Sequence, residues 1–489
     1  MFDVNEYRVL GNSLLDVRTV ERAVYPFLGP NRSLSDVQKA RDALAAEYRK
    51  AGYGTVVVDI PEQSVDGGIV RLRVTEGTLQ ALHVSGAQYY SERRIVNELP
   101  ALKVGTVPKL PELQSELSRL ANEAADRKVT PVLKSGTETG TVAVDLKVSD
   151  QLPLHGSLEI DNNNTPDTKP LRTTGVISYQ NMFQRAETLS LQFETAPQDF
   201  HEVELLALTY SGRTSIPELT WSAYGIRSNS DVAAVGTLSV IGDGTIGGLR
   251  LNRSLTSGSI WSDSLSVGVD YKDFTQNVHL VDAASAETPI HYWIWSAAYN
   301  FNAQTARLLN SGSLSVNLGI RGLDSKDADF EFNRAGAQAN FVYLRGSDLF
   351  LYKGWRDSAL QVRLNYQYTG RPLVENEQFS VGGTESVRGY YEAEALVDSG
   401  LQESLELSAP PIKPVYAGLF AFFDAAQGNV VLPLPDQISH YDLASAGLGL
   451  RTVSIPHFDG TIDWAHVLKR GTRTPAGANR VRFEARYSF

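Results

Sequence analysis

The chain has 489 residues, 42% hydrophobic and 21% charged, a balance that excludes wholesale disorder and leaves room for two to four domains. Its net charge of −11 gives no electrostatic footprint for nucleic acid, and the absence of cysteine excludes disulfides and thiolate metal sites. No apolar run approaches the roughly 18 residues of a transmembrane helix.

From the first residues the pattern is strand-like: "MFDVNEYRVLGN" has no signal peptide ahead of it. Next come "LLDVRTVERAVYPFL" and "LSDVQKARDALAAEYRKAGY", with apolar residues at helical spacing, and Ser33 or Ser35 placed to cap the second. "TVVVDIPEQ" and "GIVRLRVTEG" read as strands joined through the turn former "DGG". The same order then recurs. "LQALHVSGAQYY" is a strand, "SERRIVNEL" and "LPELQSELSRLANEAADRK" are helices, and "VTPVLKSGT" with "GTVAVDLKVSD" forms a hairpin. Gly11 and Gly86, each closing a first strand, mark the repeat length. The spacing predicts two β-α-α-β-β units in tandem, residues 4–76 and 77–150.

Beyond Asp150 the helical signal nearly vanishes. "TLSLQFETA", "SLSVGVDY", "SLSVNLGI" and "ALQVRLNYQY" alternate apolar and polar residues between clusters of Gly, Asn, Asp and Ser. A soluble sandwich would alternate in this way too, and a propeller would add a blade repeat of roughly 40–50 residues, which is missing. Sixteen membrane strands of about 10 residues would leave about 12 for each connection, a comfortable fit to residues 151–489. The chain ends "VRFEARYSF", with Val481, Phe483, Ala485, Tyr487 and Phe489 on one face and Arg482, Glu484 and Arg486 on the other. This reads as a barrel-closing strand that turns its greasy face, Tyr487 and Phe489 included, to lipid. Such a strand favours an outer-membrane chain whose targeting sequence is missing over a cytosolic one.

Chemistry is sparse. There is no GxSxG, HExxH or GxxxxGK[ST], and the eight histidines are scattered, so neither a catalytic site nor a metal site is expected, and no cofactor. "DNNNTPD" starts like a calcium loop but has Pro166 where glycine is needed, and reads as a turn. "GLGLR", Gly447 to Arg451, suits close packing better than phosphate binding. The most unusual stretch is residues 375–407, "ENEQFSVGGTESVRGYYEAEALVDSGLQESLEL", too long for a turn and carrying Arg388 between Val387 and Gly389. An exposed loop with a solvated arginine is the plain reading. The sharper one folds the loop into a lumen and anchors Arg388 on a wall carboxylate, which a planar guanidinium grips bidentately. In "AGLFAFFDAAQG", Gly418, Phe420, Phe422 and Asp424 share a face. That face must line the lumen, because a carboxylate facing lipid is costly. Asp424 is therefore a candidate partner. Glu406, opposite in pleat to Leu405 and Leu407, is the reserve.

Taken in order, "VGGTESVRGYYE", "GLQESLEL" and "FFDAAQG" resemble the two-partner secretion transporters (TpsB), the haemolysin-activator branch of the POTRA-plus-barrel superfamily. The VRGY signature falls on Val387, Arg388, Gly389 and Tyr390, the F-x-D motif on Phe422 and Asp424, and the Glu-Leu strand on Glu406 and Leu407. "DNNN" with "TTG", "NMFQRAETLSL" and "GLGLR" agree as well, so the resemblance spans nearly the whole chain. It implies two α+β POTRA domains, then an all-β transmembrane barrel of 16 antiparallel strands over 151–489, with an in-folded loop near 380–400. It further implies a monomeric pore, not an enzyme, embedded in outer-membrane lipid with its POTRA domains in the periplasm. That pore exports one large, unfolded exoprotein (TpsA-like). The POTRA domains would recognise the cargo by adding its extended chain to a sheet edge. Val56, Val57 and Val58 are the first edge candidates; Val132 and Leu133 are the second, weakened by Pro131, which lacks a donor. Family members normally begin with a plug helix and linker, whereas this sequence begins at the POTRA itself. The alternative is a BamA-type assembly factor, which generally carries more POTRA units; a passive porin would lack both features.

Overall fold

The computed structural model describes residues 1–489 except 167, 217, 230–232, 236–237, 241, 279–285, 413–415 and 436. They form two compact units, Met1–Pro153 with Phe183–Ala186, and Leu154–Met182 with Glu187–Phe489.

The first unit holds the sequence repeat. Its leading helices are Val17–Val24 and Leu34–Lys50. Ser33 caps the second by a capping box with Asp36, and those bonds hold the Asp36 carboxyl down at about 2. Every third or fourth residue of that helix, Val37, Ala40, Leu44 and Tyr48, is buried. They face a sheet whose central strand, Ile69–Glu76, runs parallel to Glu6–Leu10 and antiparallel to Val56–Asp59. The second half repeats the plan with helices Glu92–Asn97 and Leu110–Glu123. Its central strand Thr141–Asp150 runs parallel to Thr78–Ser85 and antiparallel to Arg127–Ser135. Each half owns a separate core, one around Leu44, Tyr48 and Leu72, the other around Leu79, Ile95 and Leu146.

The two marker glycines show why the repeat is visible in sequence. Gly11 and Gly86 have φ of 85° and 86°, and a Cβ on either would stand 2.3 Å from Val74 O or 2.4 Å from Val148 O. Just after each, the chain turns around a carboxylate that ends the central strand. Glu76 accepts from the amides of Ser13 (2.7 Å) and Leu14 (3.0 Å), and Asp150 from those of Tyr89 (2.9 Å) and Tyr90 (3.0 Å). A small sheet of Phe2–Val4 with Gly29–Arg32 is an addition that periodicity did not announce.

The second unit is a closed antiparallel barrel of sixteen strands, each paired with its sequence neighbour. The last, Asn479–Ser488, pairs with the first, Leu154–Asp161, from Glu484 opposite Asp161 to Ser488 opposite Ser157. Phe489 exchanges backbone hydrogen bonds of 2.9 and 3.1 Å with Gly156 and lays its ring on it; a Cβ there would be 2.5 Å from the ring. Strands run from 8 residues (Leu154–Asp161) to 19 (Ala286–Gln304), a wider spread than a uniform ten. Period-two burial is clear on Ala417–Asn429, where Phe420, Phe422 and Asp424 are buried and Leu419 and Phe423 are exposed. The same exposed apolar residues recur on neighbouring strands, as Leu405, Leu407, Leu448, Leu450, Ile462, Trp464 and Tyr487, a surface suited to lipid. Among the described residues no helix is long and apolar enough to cross a membrane. The helix Asp327–Asn333, in the connection before Phe341–Lys353, interrupts the all-β pattern; it buries Phe330 against Tyr292 and Phe341.

Candidate functional site

Residues 369–398 join the strands Ala359–Tyr368 and Ser399–Ser408, and they fold back among the barrel's inward-facing side chains. The loop makes its own hairpin, Phe379–Val381 with Ala395–Val397. Its apolar side chains Val387 and Tyr390 are fully buried in one cluster with Ala426, Leu443 and Val467 of the wall. Tyr390 OH donates to Lys469 O at 2.5 Å and accepts from the amide of Ala444 at 3.2 Å.

Arg388 occupies the centre. Its Nε and Nη2 donate to the two oxygens of Asp424 at 2.7 and 2.8 Å, and its backbone amide donates to the same carboxylate at 3.1 Å. Nη1 reaches Glu406 at 3.0 Å, so the guanidinium binds both wall carboxylates together. Ser404 Oγ donates to Asp424 at 2.7 Å and accepts from Nη2 at 3.2 Å. A second arginine, Arg451, bonds the other oxygen of Glu406. Two guanidinium groups thus face two carboxylates, a neutral set in which Arg388 is 8% and Asp424 0% exposed. The guanidinium of Arg388 lies over Phe422, with Cζ 3.5 Å from the ring centroid, and that of Arg451 over Phe420 at 4.2 Å.

The neighbouring strand, His440–Thr452, explains why those rings fit. Register sets Phe422 opposite Gly447 and Phe420 opposite Gly449, and each ring fills the space of a missing side chain. A Cβ on Gly447 would stand 2.3 Å from the Phe422 ring and 2.2 Å from Trp464 O. The glycines of "GLGLR" therefore serve close packing. Gly447→Ala should push Phe422 out from under Arg388 and cost about 1–3 kcal/mol. A lower urea midpoint in detergent checks this; an unchanged midpoint contradicts it.

Sequence reasoning missed several members of the site. Ser404 and Arg451 share the inward face with Glu406 and Gly449 by pleat parity, a signal present but unreadable without strand register. "DNNN" is more than a turn. Asn163 pairs with Thr384 of the loop at 2.6 Å, Asn164 O accepts from the amide of Glu392 at 3.1 Å, and Asn164 Oδ1 accepts from Arg480. Asp167 lies outside the described residues. The two predicted sheet edges stand at the ends of their sheets, far from the arginine in the chain. Val57 and Leu133 are exposed there, Val58 points into the core, and Val56 and Val132 are half-buried. Tyr487 and Phe489 are more than half exposed on the closing strand and its end. Among the described residues no group of three or more His, Asp or Glu is arranged to hold a metal ion.

The family described as haemolysin secretion/activation protein ShlB/FhaC/HecB matches residues 140–452, and the ShlB-type POTRA domain matches residues 2–77. The chain is similar to the outer membrane transporter CdiB of Dickeya dadantii (strain 3937), 23% identical over 448 residues, 88% of this chain and 76% of the relative. The outer membrane transporter CdiB of Escherichia coli is 27% identical over 183 residues, 37% of this chain and 30% of the relative. Among solved structures, CdiB from Escherichia coli aligns with a TM-score of 0.62 at 19% identity, over 100% of this chain and 90% of that one. BamA from Haemophilus ducreyi lacking POTRA domains 1–3 aligns with a TM-score of 0.60 at 14% identity, over 100% of both chains. At such identities the structural likeness shows a shared fold.

Proposed function

Because the chain belongs to the haemolysin secretion/activation family ShlB/FhaC/HecB, outer-membrane transporters of the two-partner type, we propose that it threads one unfolded exoprotein through its barrel to the cell surface. The observation that carries this reading is the loop pinned by Arg388 on Asp424 and Glu406 inside a closed barrel. A passive porin would carry neither the POTRA domain nor the VRGY loop found here.

We read residues 77–150 as a second POTRA domain, because its strand order and its carboxylate-bound turn repeat those of the first. Cargo recognition is assigned to this unit. Among the described residues, the outer edges of Val56–Asp59 and Arg127–Ser135 carry main-chain groups without a strand on that side, and Val57 and Leu133 offer apolar contacts beside them. An unfolded cargo suits such edges because its own main chain is free to pair. The barrel works as a single copy whose exposed apolar face meets lipid. No reaction is assigned to it; energy comes from outside the chain, through folding of the cargo at the surface. A BamA-like assembly role shares the fold, but the family match favours export.

The deciding experiment is secretion of the exoprotein encoded beside this gene, scored with and without the transporter. Cargo should appear in the medium or on the cell surface only with it. Cargo that reaches the surface equally in its absence, or a transporter that instead restores insertion of other barrels, would refute the reading.

A further inference from the structure

The loop that carries Arg388 is fastened at a second place, on other strands. Its turn Glu375–Glu377 sets the Glu377 carboxylate, 1% exposed, among donors from three wall strands. Lys272 Nζ at 2.5 Å and Tyr292 OH at 2.6 Å share Oε1, and Tyr343 OH donates to Oε2 at 2.7 Å. Gln367 Nε2 donates to the backbone oxygen of Glu377 at 3.0 Å. The shell is apolar, with Phe274, Ile290, Phe330, Phe341, Leu373 and Val374 in one cluster around Tyr292 and Tyr343. A lysine–carboxylate pair so deeply buried adds little net stability over an apolar replacement; what it supplies is a unique position.

The place of these strands gives the position its meaning. Lys272, Tyr292 and Tyr343 belong to the seventh, eighth and tenth of the sixteen strands, and Glu406 and Asp424 to the twelfth and thirteenth. Beside Arg388, the loop bonds the wall through Tyr390 to Ala444 and Lys469 and through Thr384 to Asn163. Glu377 ties it besides to the seventh, eighth and tenth strands, so the two ends of the loop bond different arcs of the wall. The tethers differ in kind: the arginine site has two cations for two carboxylates, whereas Glu377 is the single acceptor for three side-chain donors.

We propose that Glu377 is the positioning residue that holds this loop on the arc of the seventh to tenth strands, and that its release from Lys272, Tyr292 and Tyr343 opens a passage along that wall. The proposal rests on the transport reading of the barrel. It implies that passive ion flow, which needs no cargo, reports on the Glu377 tether.

The test uses the full chain in planar lipid bilayers, with seating of the loop read by disulfide trapping between Asn163→Cys and Thr384→Cys, a clean pair in a chain without cysteine. Glu377→Ala strands the Lys272 cation and should raise the open fraction roughly a hundredfold while slowing the trapping. Tyr343→Phe keeps the ring and removes one bond to a charged acceptor; it should raise the open fraction about tenfold. Lys272→Met combined with Glu377→Gln removes the charge from both sides and should recover most of the closure lost in Glu377→Ala. Slower trapping and a higher open fraction in Glu377→Ala barrels whose heat-modifiable migration and urea midpoint match the wild type separate loop positioning from a merely structural role. Wild-type conductance and trapping in folded Glu377→Ala or Tyr343→Phe barrels would overturn the proposal. Failure of the wild-type chain to export cargo would strike the transport reading instead and leave this measurement standing.

Discussion

Arg388→Ala should leave a folded barrel in the outer membrane that secretes roughly a tenth or less of the wild-type amount of cargo. The folding half of this expectation follows from what the residue does not touch. Barrel closure depends on ladders such as Glu484–Asp161 to Ser488–Ser157, and these involve no loop residue. The secretion half follows from charge. With the guanidinium gone, Glu406 keeps Arg451, but Asp424 retains only Ser404 Oγ and one backbone amide. A buried carboxylate stranded in that way costs about 3–5 kcal/mol, enough to displace the loop that presents the amide. Asp424→Ala should be milder, because Arg388 would still hold Glu406 at 3.0 Å. Arg388→Lys should fail to rescue: an ammonium cannot span both carboxylates in one plane while lying over Phe422. Heat-modifiable migration in electrophoresis scores the fold and immunoblotting of the medium scores export. Normal secretion by Arg388→Ala would remove the arginine from the mechanism.

The half of this site that was legible in sequence was legible through parity and, for the pairing of Arg388 with Asp424, mainly through the family resemblance. A period of two placed Phe420, Phe422 and Asp424 on one face and Leu419 and Phe423 on the other, and it set Glu406 against Leu405 and Leu407. Parity says which face a residue is on, never which strand it meets. Arg451, Ser404 and the glycines under the phenylalanines needed the register of Ala417–Asn429 with its neighbours, which is a property of the closed sheet. Glu377 was illegible for a related reason. It sits in an aperiodic "ENEQF", and its cation lies 105 residues away on a strand that reads as an ordinary wall. The asparagines of "DNNN" are short polar residues that usually make local turns, and their bonds to Thr384 and Arg480 cross 221 and 316 residues. The helix Asp327–Asn333 spans two turns, too few for a 3.6-residue period to show. The tandem repeat, by contrast, was legible because Gly11 and Gly86 answer the same steric demand, a backbone carbonyl where a Cβ would stand.

Removal of residues 4–150 should yield a barrel that still folds and resists heat but exports no cargo above background. Folding is expected because the barrel unit keeps its own buried clusters, around Phe274 and Phe341, around Val387 and Tyr390, and around Phe420 and Phe422. Loss of export is expected because both free sheet edges assigned to cargo lie in the deleted segment. A deletion this large removes much else, so point changes on the edges carry the sharper test. Val57→Asp and Leu133→Asp alter side chains that are 60% and 45% exposed, so neither disturbs a core. A charge on an edge strand opposes the addition of another strand. The two changes together should therefore cut secretion several-fold and weaken binding of the cargo's N-terminal segment to residues 1–153, while the deletion removes both outright. The edge at Val57 should dominate, because Pro131 withholds a donor from the other. Export at the normal level by the truncated barrel would place recognition in the barrel itself. Full secretion by the double aspartate variant would keep recognition in the first unit but move it off these edges.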